Sequence, residues 1–258
     1  MENLILAEEH GSVYEITLNR PEKRNAITMD LWNQLDTALR QAYKSKTMKV
    51  LVIRGAGGSF CVGADIHAFG KLKEGYGADW EQKGRIIAYD MQLIVNRIQR
   101  LEVPTIAVIH GHCLGMGFEL ALACDFRIAT TDAVFGMPET LIGLIPDVGG
   151  TTRLTRLVGP NRAKELIFTG KQITAKVAQD YGIVNQSCSA EDLTQAVSEW
   201  TRDLSKASSV AVGISKRIID SMDDHMRGFD LEGWAQAQLY AGPDFRKAIQ
   251  SFADRAPS

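Results

Sequence analysis

Three runs, "KVLVIRG", "PTIAVIHG" and "DFRIAT", constrain the fold most strongly. Their apolar residues follow one another instead of alternating with polar ones, as expected of strands buried on both faces. Helical patterns lie between them. After "SVYEITLNR", whose Tyr14, Ile16 and Leu18 alternate with polar neighbours, Thr28 can cap a helix. Asp30 then lies in the first turn, where the dipole favours an anion, and Leu31, Leu35 and Leu39 form the buried stripe. "GMGFELALAC" reads as a short helix between the second and third runs. Strands alternating with helices predict an α/β core with parallel pairing.

From about residue 148 the pattern turns helical. Helices are expected over 163–170, over 174–181 with Gly182 as C-cap, and over 191–204, with "GIVNQ" as the remaining strand signal. The last stretch reads as two or three amphipathic helices, with Val212, Ile214, Ile218 and Ile219 on one apolar face. It is expected to pack on the core or on another subunit. The division is therefore a core over 1–195 and a helical region over 196–258, with no low-complexity linker between them. The charged, glycine-rich "GKLKEGYGADWEQKGR" predicts a mobile loop.

At 258 residues the chain can bury a sizeable core, and 29 Lys+Arg against 31 Asp+Glu give a net charge of −2. No global field draws nucleic acid or an anionic membrane. Cys61, Cys113, Cys124 and Cys188 lack paired CxxC spacing and a nearby histidine ladder, so free thiols in a reducing compartment are expected and a metal site is not. "MENLILAEEH" lacks the features of a signal peptide, and no segment reaches membrane-spanning length. A cytoplasmic protein is the expectation.

Three segments have compositions that folding alone does not demand. In "GGSFCVGADI", directly after a buried strand, glycines allow backbone N–H groups to turn toward a ligand, and a helix starting near Asp65 leaves further N–H groups unpaired. In "HGHCLGMGFELALACDF", Gly115 and Gly117 bracket Met116 at a helix N-terminus, whose free donors suit an oxyanion that develops during reaction. Glu119 follows among Phe118, Leu120, Ala121 and Leu122, where an ionised carboxylate without partners is costly to bury. In "FGMPETLIGLIPDVGGTTRL", Pro138 stiffens the approach to Glu139, and Asp147 precedes a helix, where capping is its alternative role. No G-x-S-x-G elbow and no GK[ST] phosphate loop occurs, and adjacent His112 and Cys113 point apart on a strand or turn.

Together, "CVGAD", "HGHCLGMGFELALACD" and "FGMPETLIGLIPDVGGTTRL" closely resemble the crotonase, or enoyl-CoA hydratase/isomerase, superfamily, and the resemblance runs from "LNRPEKRNAI" to "SFADRAPS". It implies an α/β fold of the ClpP/crotonase type, a spiral of ββα units with a C-terminal helical trimerisation region. It implies an acyl-CoA thioester substrate, whose coenzyme A is the only cofactor, and a homotrimer or dimer of trimers. By the same resemblance the N–H groups of Ala64 and Met116 form the oxyanion hole, and Glu119 and Glu139 occupy the two glutamate positions of the hydratases. Apolar walls raise the pKa of such a pair, and mutual repulsion favours one protonated partner. Arg24, Ala26, Asp65 and Ile66 match segments lining the CoA groove, with Lys23 adding charge. Phe252 and Arg255 resemble residues that reach the adenosine end from a neighbouring subunit.

The chain departs from the simplest hydratase in two places. Met116 stands where glycine is common, and Asp147 where hydratases have a small residue. Asp147 resembles the dienoyl-CoA isomerase branch, although those enzymes typically carry aspartate where this chain has Glu119. "MPETLIGLIPDVGG" also looks like the hydroxyisobutyryl-CoA hydrolases, which generally lack a carboxylate at the Glu119 position. The expected activity is 2-enoyl-CoA hydration, with isomerisation through Asp147 or thioester hydrolysis as alternatives, and a non-catalytic acyl-CoA or RNA-binding member as the alternative of another class.

Overall fold

The computed structural model describes residues 2–221, 233, 236–237 and 239–254. Its main sheet is built from the runs singled out above. β1 (Ile5–His10) and β2 (Val13–Leu18) form an antiparallel hairpin, and β3 (Val50–Gly55) and β4 (Thr105–Ile109) continue the sheet in parallel. β5 (His112–Leu114) starts a second sheet, whereas β6 (Phe126–Thr130) returns beside β4. β7 (Val134–Gly136) pairs with β5 in parallel and with β8 (Gln172–Thr174) antiparallel, and β9 (Gln186–Cys188) pairs with β6. The orders are β1-β2-β3-β4-β6-β9 and β5-β7-β8.

The apolar residues of β3, β4 and β6 follow one another because both faces are covered. On one face Leu51, Ile53, Ala107 and Ile109 join the main core, which includes Leu31, Leu35 and Leu39 of α1 (Met29–Ala42). On the other, Val50, Val52, Ile106, Val108 and Ile128 pack against Ala196 and Val197 of α7 (Leu193–Ser205). Thr28 caps α1 as expected, its side chain accepting the Leu31 N–H at 3.2 Å. The segment read as a loop forms helical turns instead, with a 3-10 turn over Ile66–Lys71, α2 (Leu72–Tyr76) and a 3-10 turn over Trp80–Lys83 leading into α3 (Gly84–Arg100). Buried Leu72, which packs into the main core, accounts for this order: the glycines supply bends, not an unstructured span.

α4 (Met116–Leu122) is the short apolar helix. The helix expected over 163–170 starts much earlier, as α5 (Gly150–Thr169), with a break at Gly159, whose φ is 77°, just before Pro160. Proline removes a helical donor, so the break falls where the ladder cannot continue. α6 (Ala175–Asp180), capped by Thr174, ends before Gly182 at φ 79°, the C-terminal glycine expected there. α8 (Ser209–Ser221) and α9 (Pro243–Ala253) complete the described elements. On α8, Ile214, Ile218 and Ile219 are 54–59% exposed, so the apolar face foreseen there is open in the single chain. Among the described residues no helix is long and apolar enough to cross a membrane.

Candidate active site

Three chain segments lie side by side beneath the site. Residues 60–61 bond to 110–112, with Phe60 N–H on His110 O at 2.8 Å and Cys61 N–H on His112 O at 3.0 Å. Residues 62–65 bond in turn to 24–27: Val62 N–H donates to Arg24 O at 3.2 Å, Ile27 N–H to Gly63 O at 2.8 Å and Asp65 N–H to Ile27 O at 2.8 Å. The parallel bridge between Cys61 and Cys113 sets the register, so Ala64 and Met116 each stand three residues beyond it. Gly63, at φ 93°, makes this approach possible, because a Cβ there would lie 3.0 Å from Leu114 O and 3.3 Å from Met116 N.

Ala64 and Met116 line one cleft with Ile27, Asp65, Leu72, Met91 and Tyr240. Met116 is the first residue of α4, so its N–H has no partner within the helix. Among the described residues neither its N–H nor that of Ala64 is engaged in a hydrogen bond. The cleft thus holds two free backbone donors from converging segments.

Glu119 is 1% exposed and answers the cost of its burial with backbone donors. Its Oε1 accepts the Val148 N–H at 2.8 Å and the Gly150 N–H at 2.7 Å, at the N-terminus of α5. Hydrogen bonds of this kind favour the ionised carboxylate. α3 holds the donating loop. Gln92 Nε2 donates to Asp147 O at 2.7 Å, the carbonyl of the peptide whose N–H belongs to Val148. Arg153 donates to Val148 O at 2.9 Å and to Asn96 Oδ1 at 2.6 Å, tying the loop to the same helix.

Glu139 opens the 3-10 turn Glu139–Ile142 after Pro138. Its surroundings differ from those of Glu119. Oε2 is buried with no hydrogen-bond partner among the described residues, and burial pushes the carboxyl up to about 7. A Cβ on Gly115 would fall 2.9 Å from Glu139 Oε1, so this carboxyl rests against the residue preceding Met116. The two glutamates therefore flank α4, one at its cap and one reaching from its first turn to α5.

Asp147 is 7% exposed, and the capping position of α5 belongs to Gly149. The Tyr240 phenol feels Asp147: burial raises its pKa most, and the negative charges of Asp147 and Glu119 add to the rise. Asp65 lies at the cleft, but its carboxylate is bound to Arg20 Nη1 at 2.6 Å, its N–H donates to Ile27 O at 2.8 Å and its carbonyl accepts the Ala68 N–H at 2.8 Å, so its polar groups already have partners within the chain. Ala26 is buried, Arg24 is exposed at φ 49°, and Ile66 starts the 3-10 turn beside the cleft. Lys23 is exposed, and Phe252 is half-buried on α9. Arg255 lies outside the described residues.

Other chemistry fares less well. Burial holds the thiols of Cys61 and Cys124 up to about 12, and that of Cys113 well above the usual range, so a thiolate is disfavoured. All four cysteines are free, and among the described residues no cluster has the make-up of a metal site. Gln92, Arg153, Gly150, Tyr240 and Asn25 were not foreseen from the sequence. Asn25 is fully buried at φ 57°, and its side-chain amide donates to the carbonyls of Ala56, Ser59 and Phe60 at 2.8–3.1 Å, fastening the loop that leads to Ala64.

Comparison with known proteins gives the family. The family described as enoyl-CoA hydratase/isomerase matches residues 8–258. The short-chain-enoyl-CoA hydratase of Clostridium acetobutylicum is 32% identical, over 98% of this chain and 95% of its own. The crotonyl-CoA hydratase of Syntrophomonas wolfei is 33% identical, over 98% and 96%. An enoyl-CoA isomerase/hydratase of Mycosarcoma maydis is 34% identical, over 96% and 92%. Among solved structures, an enoyl-CoA hydratase from Mycobacterium avium subsp. paratuberculosis superposes with a TM-score of 0.86 at 26% identity, covering 97% of this chain and 99% of that one. Free N–H groups on a cleft, with one glutamate on the helix that Met116 opens and another against Gly115, in a fold shared over nearly its full length, are thus found in a chain that belongs to the enoyl-CoA hydratase/isomerase family.

Proposed function

We propose that this protein adds water across the double bond of a 2-enoyl-CoA thioester. One observation carries the reading: the two glutamates beside the Ala64–Met116 donors differ in surroundings, Glu119 on two N–H groups and Glu139 with a buried oxygen that has no hydrogen-bond partner among the described residues and a carboxyl that burial raises to about 7. A pair tuned apart in this way divides into base and acid. The thioester oxygen takes both N–H groups. Ionised Glu119 accepts a proton from a water whose oxygen bonds to C3, and the electron pair moves through C2 to the thioester oxygen as an enolate. The donors strengthen as that charge grows. Collapse of the enolate takes the proton of Glu139 onto C2. Exchange of one proton between the two carboxyl groups restores the starting state, with no cofactor beyond the coenzyme A of the substrate.

The groove past Ala26, Asp65 and Ile66 carries the CoA arm, with Arg24 and Lys23 placed for its phosphates and Phe252 for a neighbour's adenosine end. The open face of α8 is our candidate for the contact of a trimer. Asp147, buried on the loop that holds Glu119, favours double-bond isomerisation as the second reading. Four similar proteins, from Arabidopsis thaliana, Bos taurus, Homo sapiens and Mus musculus, are named as mitochondrial. The deciding experiment supplies 2-enoyl, 3-enoyl, dienoyl and 3-hydroxyacyl thioesters and analyses the products. Glu119→Gln and Glu139→Gln should each slow crotonyl-CoA hydration about a hundred- to a thousandfold, the usual scale for losing one polar element of such a site. Near-full hydration by both variants would overturn the assignment, and binding without product would make the protein a carrier.

A further inference from the structure

We propose that Tyr240 is a fixed stop at the acyl end of the cleft and restricts the enzyme to short acyl chains. The inference rests on the acyl-CoA reading above, because that reading gives the cleft a direction. With the thioester oxygen at Ala64 and Met116, we assign the acyl group to the apolar part of the same lining, Leu72, Ile87, Met91 and Tyr240. Those four residues are 6%, 2%, 6% and 4% exposed, so protein, not solvent, stands behind each. The tyrosine comes from the helical C-terminal region of the same chain, more than a hundred residues after Met116 in sequence.

Three contacts hold the ring. Trp80 meets it edge to face, with centroids 5.3 Å apart, and Phe245 packs at 5.4 Å on a tilted plane. Gly84 lies against its edge: a Cβ on that glycine would be 2.7 Å from Tyr240 Cδ2 and 2.6 Å from Ala237 Cα. The hydroxyl is bonded to the Gln236 side chain. A ring wedged by two aromatics and a helix backbone cannot swing aside without opening a cavity among them. A longer chain must therefore displace packed side chains, and one methylene that does not fit lowers selection by about ten- to two-hundredfold.

Binding of saturated butyryl-, octanoyl- and dodecanoyl-CoA tests the stop by calorimetry, since these thioesters have no double bond to hydrate. The wild type should hold butyryl-CoA at least tenfold more tightly than dodecanoyl-CoA. Tyr240→Ala should narrow or reverse that ratio by at least tenfold, and Tyr240→Phe should keep it, because the ring and not the hydroxyl is the stop. Tyr240→Leu, which retains an apolar contact with Trp80 and Phe245, serves the same purpose if the alanine variant does not fold. Equal binding of all three thioesters by the wild type, or an unchanged ratio in a folded alanine or leucine variant, would overturn the inference alone. Failure of every thioester to bind would remove the acyl-CoA reading beneath it.

Discussion

The Gly150 N–H lies 2.7 Å from Glu119 Oε1, and a Cβ on Gly150 would fall at the same distance from that oxygen. One position thus both holds the carboxylate and leaves room for it. The same Cβ would stand 2.5 Å from Pro146 Cβ, so the loop cannot yield on its other side. Gly150→Ala should displace Glu119 and lower kcat about a hundredfold, the scale set by misplacing a reacting group by an ångström. Steady-state kinetics with thermal melting checks this. A folded alanine variant with wild-type kcat would show that Glu119 is not held in place for catalysis.

Gln92 acts on Glu119 at one remove, through the Asp147–Val148 peptide. Gln92→Leu removes the donor to the Asp147 carbonyl and loosens the peptide whose N–H grips the carboxylate. We expect kcat to fall about tenfold, equivalent to ~1.4 kcal/mol of barrier, with little change in KM and with the acidic limb of the pH–rate profile moved upward. Gln92→Glu, protonated at low pH, should recover part of the rate there. A purely structural role would lower the melting temperature and leave the limb unmoved.

Glu139 couples stability to pH because burial raises its carboxyl to about 7. Between the ordinary carboxylate range and that value, the folded protein keeps a proton that the unfolded chain has released. Stability due to this group therefore falls as pH rises through the window and is level above it. Glu139→Gln should be more stable than the wild type at pH 8 by on the order of 1–3 kcal/mol and no more stable at pH 5. Denaturant titrations at the two pH values measure the difference. In the wild type, kcat/KM should decline above about pH 7 as the proton donor is lost.

Asn25→Ala withdraws one side chain from three carbonyls and from the Arg20 N–H at once. Alanine also inherits a φ of 57°, which costs more for it than for asparagine. A loss of about 2–4 kcal/mol follows, at roughly 2–4 °C of melting temperature per kcal/mol for a chain of this size. The loop it fastens carries Ala64, so KM for the thioester should rise as well. Calorimetry and initial rates on the same preparation give both numbers.

Local pattern was enough where structure is local. β2, β3, β4 and β6 are where alternation or unbroken apolar runs place them, and α1 has its expected cap and stripe. β5, β7 and β8 span three residues each, shorter than any repeat can reveal, β9 begins only at the last residue of "GIVNQ", and the glycine-rich run before α3 looked looser than it is because its anchor, Leu72, is a single apolar residue. The exposed isoleucines of α8 were legible as an apolar face, and the fold of one chain does not cover them.

The sequence by itself determined the alternation of strands and helices, the glycines that free backbone donors, and an unusual glutamate in an apolar helix, since each depends on neighbours a few residues away. Tertiary structure decided what those elements meet. The donors to Glu119 come from 29 and 31 residues downstream, and Gln92 reaches a carbonyl 55 residues on. Tyr240 arrives at the cleft from the far end of the chain. Such contacts follow from the path of the backbone through the packed core, which no local period records.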